Sequence, residues 1–86
     1  MLKFYGNMMC KDCVECREEF DRSGIEYEFF DFSDSLLNLK EFLHIRDTND
    51  AFNEIRGTDM IGIPCIVSPD GSVCLDWTCY VSQDKS

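Results

Sequence analysis

Basic residues are scarce in this chain. Eight lysines and arginines stand against seventeen aspartates and glutamates, for a formal net charge of −9. An excess of that sign opposes binding to nucleic acid or anionic lipid, since both carry the same charge. No apolar run approaches the roughly 18 residues of a membrane span. The chain enters a strand-like segment without the basic region and apolar stretch of a signal sequence, so a cytoplasmic location is expected. Histidine occurs once, at His44, on a helical pattern that gives no reason to expect it beside a nucleophile. Repeats, linkers and low-complexity segments are missing, and a single domain over residues 1–86 with a thin core is expected.

Apolar residues make up 44% of the sequence and aromatics 13%, enough for a folded globule rather than a disordered segment. Cysteine is abundant, at six residues. A disulfide scaffold would need a secreted setting, which nothing in the sequence supplies.

Residues 2–6 (LKFYG) read as a first strand with Leu2 and Phe4 on one side and Lys3 and Tyr5 on the other. Gly6-Asn7 breaks it. From about Lys11 to Ser23 the pattern is helical, with Cys13, Cys16 and Phe20 on one face and Gly24 as a left-handed stop. Residues 25–32 (IEYEFFDF) then alternate apolar and acidic before becoming more continuously apolar, as in a strand with one well-covered wall. A connection of this length predicts that the two strands lie parallel. Ser33 or Asp34 is expected to cap a second helix over about Ser35 to Arg46, with a stripe of Leu36, Leu39 and Leu43 beside Leu37 and Phe42. A short helix anchored by Phe52 and Ile55 should stop at Gly57. Ile61 to Val67 reads as a strand carrying Pro64 in its body, which implies an edge or a bend. Residues 68–72 (SPDGS) signal a turn, and Val73 to Trp77 the returning antiparallel strand. Thr78 to Ser86 is too short and polar to predict a helix.

The chemistry concentrates at Cys10-Lys11-Asp12-Cys13, where the first strand gives way to the first helix. A helix N-terminus offers unpaired N–H groups and the positive end of the macrodipole, which favour a thiolate. Cys13 lies about one turn further on, within reach of a small-ring disulfide. Cys10 would then attack a substrate disulfide and Cys13 would resolve the mixed disulfide. CxxC also reads as half of a zinc or iron–sulfur site, and Cys16 extends it to C-x2-C-x2-C. Three cysteines so spaced on a continuous helix do not converge, and no fourth follows nearby; no metal ligand set is assigned. Cys16 reads more plainly as a small core residue. Cys65 and Cys74 fall on strands expected to pair, in a register that the sequence leaves open, and buried thiols are the plainer reading. Cys79 has no assigned role.

These residues resemble the glutaredoxin branch of the thioredoxin-like family over about residues 2–77. The likeness rests on the strand ending Tyr5-Gly6, the CxxC opening a helix, the β–α–β crossover, and Gly62-Ile63-Pro64 before an apolar strand and hairpin. It implies a four-stranded mixed sheet in the order 2-1-3-4, the last two strands antiparallel, flanked by helices. It also implies a cis peptide bond at Pro64 that turns the Ile63 backbone toward Cys10, where a substrate chain could add as a strand. The implied function is a monomeric dithiol–disulfide oxidoreductase: Cys10 and Cys13 catalytic, Lys11, Ile63 and Pro64 contacting substrate. No tightly bound cofactor is expected; glutathione or a reductase would return electrons. The chain departs from the family pattern in three places: Lys11-Asp12 replaces proline and an aromatic, Asn7 replaces a basic residue, and Val73 to Trp77 lacks Gly-Gly before an acidic residue. Protein disulfides are therefore expected as substrates in preference to glutathione conjugates. The alternative is a metal or iron–sulfur delivery module using Cys10, Cys13 and Cys16.

Overall fold

Alternation along the first strand decides the architecture. In β1 (Leu2–Gly6), Phe4 is sealed on one face and Tyr5 on the other, so both faces of the sheet must be covered. The computed structural model describes residues 1–58 and 60–81, with the backbone alone at Cys79. Its elements run β1, α1 (Lys11–Ser23), β2 (Tyr27–Asp31), α2 (Leu36–Thr48), a 3-10 turn (Asp50–Phe52), β3 (Cys65–Val67), β4 (Val73–Cys74) and α3 (Thr78–Val81). The four strands form one mixed sheet in the order β2-β1-β3-β4. β1 and β2 are parallel, with Phe4 opposite Phe29 and Tyr5 opposite Phe30. β3 runs antiparallel to both β1 and β4.

Each face has its own core. Phe4, Cys13, Cys16, Phe20, Ile66 and Val81 close the side covered by α1 and α3. Tyr5, Phe42, Phe52 and Cys65 close the side covered by α2 and the 3-10 turn. Phe20 is the hub of the first, with edge-on contacts to Phe4 (6.0 Å), Tyr80 (6.0 Å) and Trp77 (6.4 Å). On the second, Phe42 lies between Phe32 (5.1 Å) and Phe52 (5.9 Å).

The ends of α1 fall where the sequence puts them, with Gly24 at φ 73. Elsewhere the boundaries move. Ser35, not Ser33 or Asp34, caps α2, its hydroxyl accepting from the Leu37 N–H at 3.1 Å. The predicted leucine stripe faces inward only at Leu39. Leu36 is 73% exposed and Leu43 is exposed too, while Phe42, helped by Leu39 and Ile45, carries the packing. Phe42 reaches across that face to Phe52. The last two strands are shorter than the apolar runs suggest: β3 starts only after Pro64, so that proline removes no ladder bond, and β4 has two residues. The expected short helix is a 3-10 turn followed by hydrogen-bonded turns up to Gly57, with Phe52 buried as anticipated. Residues 78–81 do form a helical turn, because Trp77 and Tyr80 pack on Phe20 and the Tyr80 hydroxyl meets Ser68 Oγ at 3.0 Å. Among the described residues, no helix is long and apolar enough to cross a membrane.

Truncating Phe20 to alanine should lower the unfolding free energy by about 3–5 kcal/mol. Leu36→Ala should change it by no more than about 0.5 kcal/mol. Urea titration of the two variants checks the contrast.

Candidate functional site

At the junction of β1 and α1 the chain must turn from strand to helix within four residues. Asn7 organises that turn. Its side-chain Oδ1 accepts the Met9 N–H at 2.8 Å, and its backbone oxygen accepts the Cys10 N–H at 3.0 Å. Its Nδ2 donates to Asp31 Oδ1 (3.0 Å) and to Ser33 Oγ (2.7 Å), at and just beyond the end of the neighbouring strand. The Phe32 N–H, donating to the Gly6 oxygen at 3.0 Å, closes the same junction.

Cys10 is the N-cap residue of α1, in extended backbone geometry, and its sulfur makes no capping hydrogen bond. It is half-buried and opens onto a groove. Cys13, one turn on, is fully buried. Its sulfur lies so close to Gly6 that a Cβ there would come within 2.7 Å of it, which restricts residue 6 to glycine. Burial pushes the Cys13 thiol well above its ordinary 9.0, opposed by the Asn7 backbone N–H that faces its sulfur. The neighbouring Cys10 adds to the upward shift of the Cys13 thiol. The geometry therefore pairs an accessible thiol with a shielded one held protonated.

The groove, 1280 Å³ in volume, runs between the start of α1, the inner edge of α2 and the segment before β3. Cys10, Ile63 and Pro64 all line it. The Ile63–Pro64 bond is cis. Among the described residues, nothing bonds the Ile63 N–H or C=O. Met9 is 92% exposed, and Leu43, Met60 and Ile61 add apolar rim. Lys11 is exposed on the first turn but is not part of the lining, where Asp12 stands instead. His44 is exposed and does not line the groove.

Two arginines hold the far wall. Arg46 donates to the backbone oxygens of Ile61 (3.0 Å) and Met60 (3.2 Å). Arg56 reaches back to the Arg46 oxygen (2.8 Å) and to the Asn49 oxygen, satisfying carbonyls at the end of α2. Gly62, at φ 96, passes so close to Phe52 and Ile55 that a Cβ would meet either at 2.7 Å.

Cys16, Cys65 and Cys74 lie apart from the groove lining. Cys16 is sealed in the core under α1, and burial raises its thiol. Cys65 is sealed on the opposite face, its thiol pushed up by burial to about 12. Cys74 stands opposite Ile66 rather than Cys65, is only half-buried, and donates to the Asp76 oxygen at 3.0 Å; the reading of it as a core thiol is corrected. The Cys79 side chain lies outside the described residues. Among those described, no three or more His, Cys, Asp or Glu side chains are grouped to hold a metal ion.

Asn7, Arg46 and Arg56 escaped the sequence reading. The only available cue was an asparagine directly after a strand-ending glycine, since asparagine readily bonds the backbone two residues on. The arginines reach backbone carbonyls 7 to 15 residues away, and no local pattern encodes that.

No protein-family model and no solved structure matches the chain. A Haemophilus influenzae protein described as uncharacterized is 36% identical over 67 residues, covering 78% of each chain. The chain belongs to the family of that protein. The relationship assigns no activity, so the chemistry rests on the residues themselves.

The buried thiols set an alkaline limit. Cys65 keeps its proton in the folded state up to about 12, whereas the unfolded chain releases it near 9.0. Its contribution is full below pH 9 and is lost as pH rises toward the folded value, by up to about 1.4 kcal/mol per pH unit. The urea midpoint should therefore fall above roughly pH 9, and less steeply in Cys65→Ala. Gly6→Ala should cost about 1–3 kcal/mol by driving a methyl group into the Cys13 sulfur, read from the same titration at neutral pH.

Proposed function

We propose that this chain is a small dithiol–disulfide oxidoreductase, with a thioredoxin-like fold of the glutaredoxin type, acting in the cytoplasm as a monomer. The observation that carries the reading is the unequal exposure of two adjacent thiols at the start of α1: Cys10 open to a groove, Cys13 sealed beneath it. The sheet order, the helices on both faces and the cis proline lining the groove agree with the resemblance read from the sequence.

In this reading the Cys10 thiolate attacks one sulfur of a substrate disulfide. An S–S bond forms to Cys10, and the other substrate sulfur leaves as a thiolate that takes up a proton. Cys13 then gives up its proton and attacks Cys10, forming the Cys10–Cys13 disulfide and releasing the second substrate thiol. Two electrons have passed to the substrate; an external dithiol, glutathione or a reductase returns them. Cys10 stands at the N-terminal end of α1, the end of a helix whose macrodipole suits a developing negative charge. The open Ile63 backbone suits an extended polypeptide added as a strand, and the apolar rim suits its side chains. Protein disulfides are thus the substrate class favoured, with Ile63 and Pro64 shaping the contact. Lys11 acts at most through its charge, from outside the lining. Metal delivery through Cys10, Cys13 and Cys16 would require Cys16 to leave the packing around Phe4 and Phe20, so dithiol chemistry is preferred.

Cys10→Ser should lower the rate of disulfide reduction on the order of a hundredfold or more. Cys13→Ser should retain the first step and accumulate a mixed disulfide visible by mass spectrometry. Wild-type rates in Cys10→Ser would overturn the reading.

A further inference from the structure

Asn7 is not a reacting group, yet its side chain and backbone hold the turn that leads into both thiols. The turn it forms is held at both ends. The side-chain oxygen and backbone oxygen bind the N–H groups of Met9 and Cys10, and the side-chain NH2 is fastened to Asp31 and Ser33 across the sheet junction. Asp31 is itself braced by accepting the Ser33 N–H at 2.8 Å. The Asn7 backbone N–H faces the sulfur of Cys13, while Gly6, its neighbour, leaves the room that sulfur occupies. The Asn7 backbone thus meets both thiol-bearing residues, and its side chain ties the turn that carries them to Met9 and to the end of β2.

We propose that Asn7 is a positioning residue that sets the balance between the dithiol and disulfide forms of Cys10 and Cys13. The inference rests on the dithiol reading given above. Oxidation joins the two sulfurs, with loss of two protons, and transfers two electrons to an oxidant such as oxidised dithiothreitol, which becomes the reduced dithiol. Forming that bond confines the backbone of residues 7–10. With Asn7 in place the reduced chain is already confined, and little further ordering is needed. Without its side chain the reduced turn gains freedom that the disulfide must remove, which weighs against ring closure. Asparagine is suited to this place because it accepts and donates at once; aspartate would set a second carboxylate against Asp31.

The experiment is redox titration of the purified protein in dithiothreitol buffers, with the fraction of Cys10–Cys13 disulfide counted by thiol alkylation and mass spectrometry. Asn7→Ala should lower the equilibrium constant for disulfide formation about tenfold, the equivalent of ordering roughly one backbone residue. The exchange variant Asn7→Asp/Asp31→Asn, which restores a donor and an acceptor across the same gap, should recover to within about threefold of wild type. A merely structural role would alter urea stability without moving this constant. An unchanged or raised constant in Asn7→Ala, or no recovery in a folded exchange variant, would overturn the positioning role and leave the dithiol reading standing. A wild-type protein that forms no Cys10–Cys13 disulfide would overturn both.

Discussion

The Cys13 sulfur resting against the bare α-carbon of Gly6 is the contact on which the rest of the site depends. A side chain at residue 6 would occupy the same space, so strand and helix can approach only because nothing projects there. This approach buries one thiol completely while its neighbour, at the helix cap, keeps access to solvent. A difference in chemistry thus arises from packing, between two residues of the same type three positions apart. Burial holds the inner thiol protonated, while the outer one stands at the helix cap and opens onto the groove.

The sheet makes this arrangement rigid from both sides. One face is an aromatic assembly around Phe20, sharing its space with Cys13 and Cys16; the other is anchored by Phe42 and Phe52 with Cys65. Cysteine serves in both as a small apolar filler, which accounts for the abundance of thiols without assigning each a reaction. Ile63 touches both cores, and the segment leading into β3 therefore takes its position from both faces at once. Arg46 and Arg56 complete it by bonding main-chain oxygens, a use of charge that leaves the groove wall fixed without a metal or a disulfide.

Much of this was legible before the structure. The span of α1, its left-handed stop, the parallel pairing of β1 with β2, the sheet order and the adjacency of Cys10, Ile63 and Pro64 all follow from short-range periodicity, glycine placement and the family resemblance. The inner face of α2 did not, because four leucines at plausible spacings compete for one inward line and only the sheet decides that Phe42 wins. β3 and β4 are shorter than their apolar runs, since such a run does not specify ladder pairing; Ile61 is exposed on a groove rim. The α3 turn is helical through its contacts with Phe20 and Ser68, which lie far off in sequence. Lys11, expected to contact substrate, lies outside the groove lining, whereas the neighbouring Asp12 is part of it.

The brevity of β4 has a consequence for crowded solutions. An outer strand of two residues gives an intruding polypeptide almost no ladder to extend. At the opposite margin, β2 is five residues long, but it is flanked and interrupted by Glu26, Glu28 and Asp31. A neighbouring molecule carrying the same surplus of carboxylates meets repulsion there before it can dock. Shortness on one side and like charge on the other thus guard a small β-sheet against runaway stacking into fibrils.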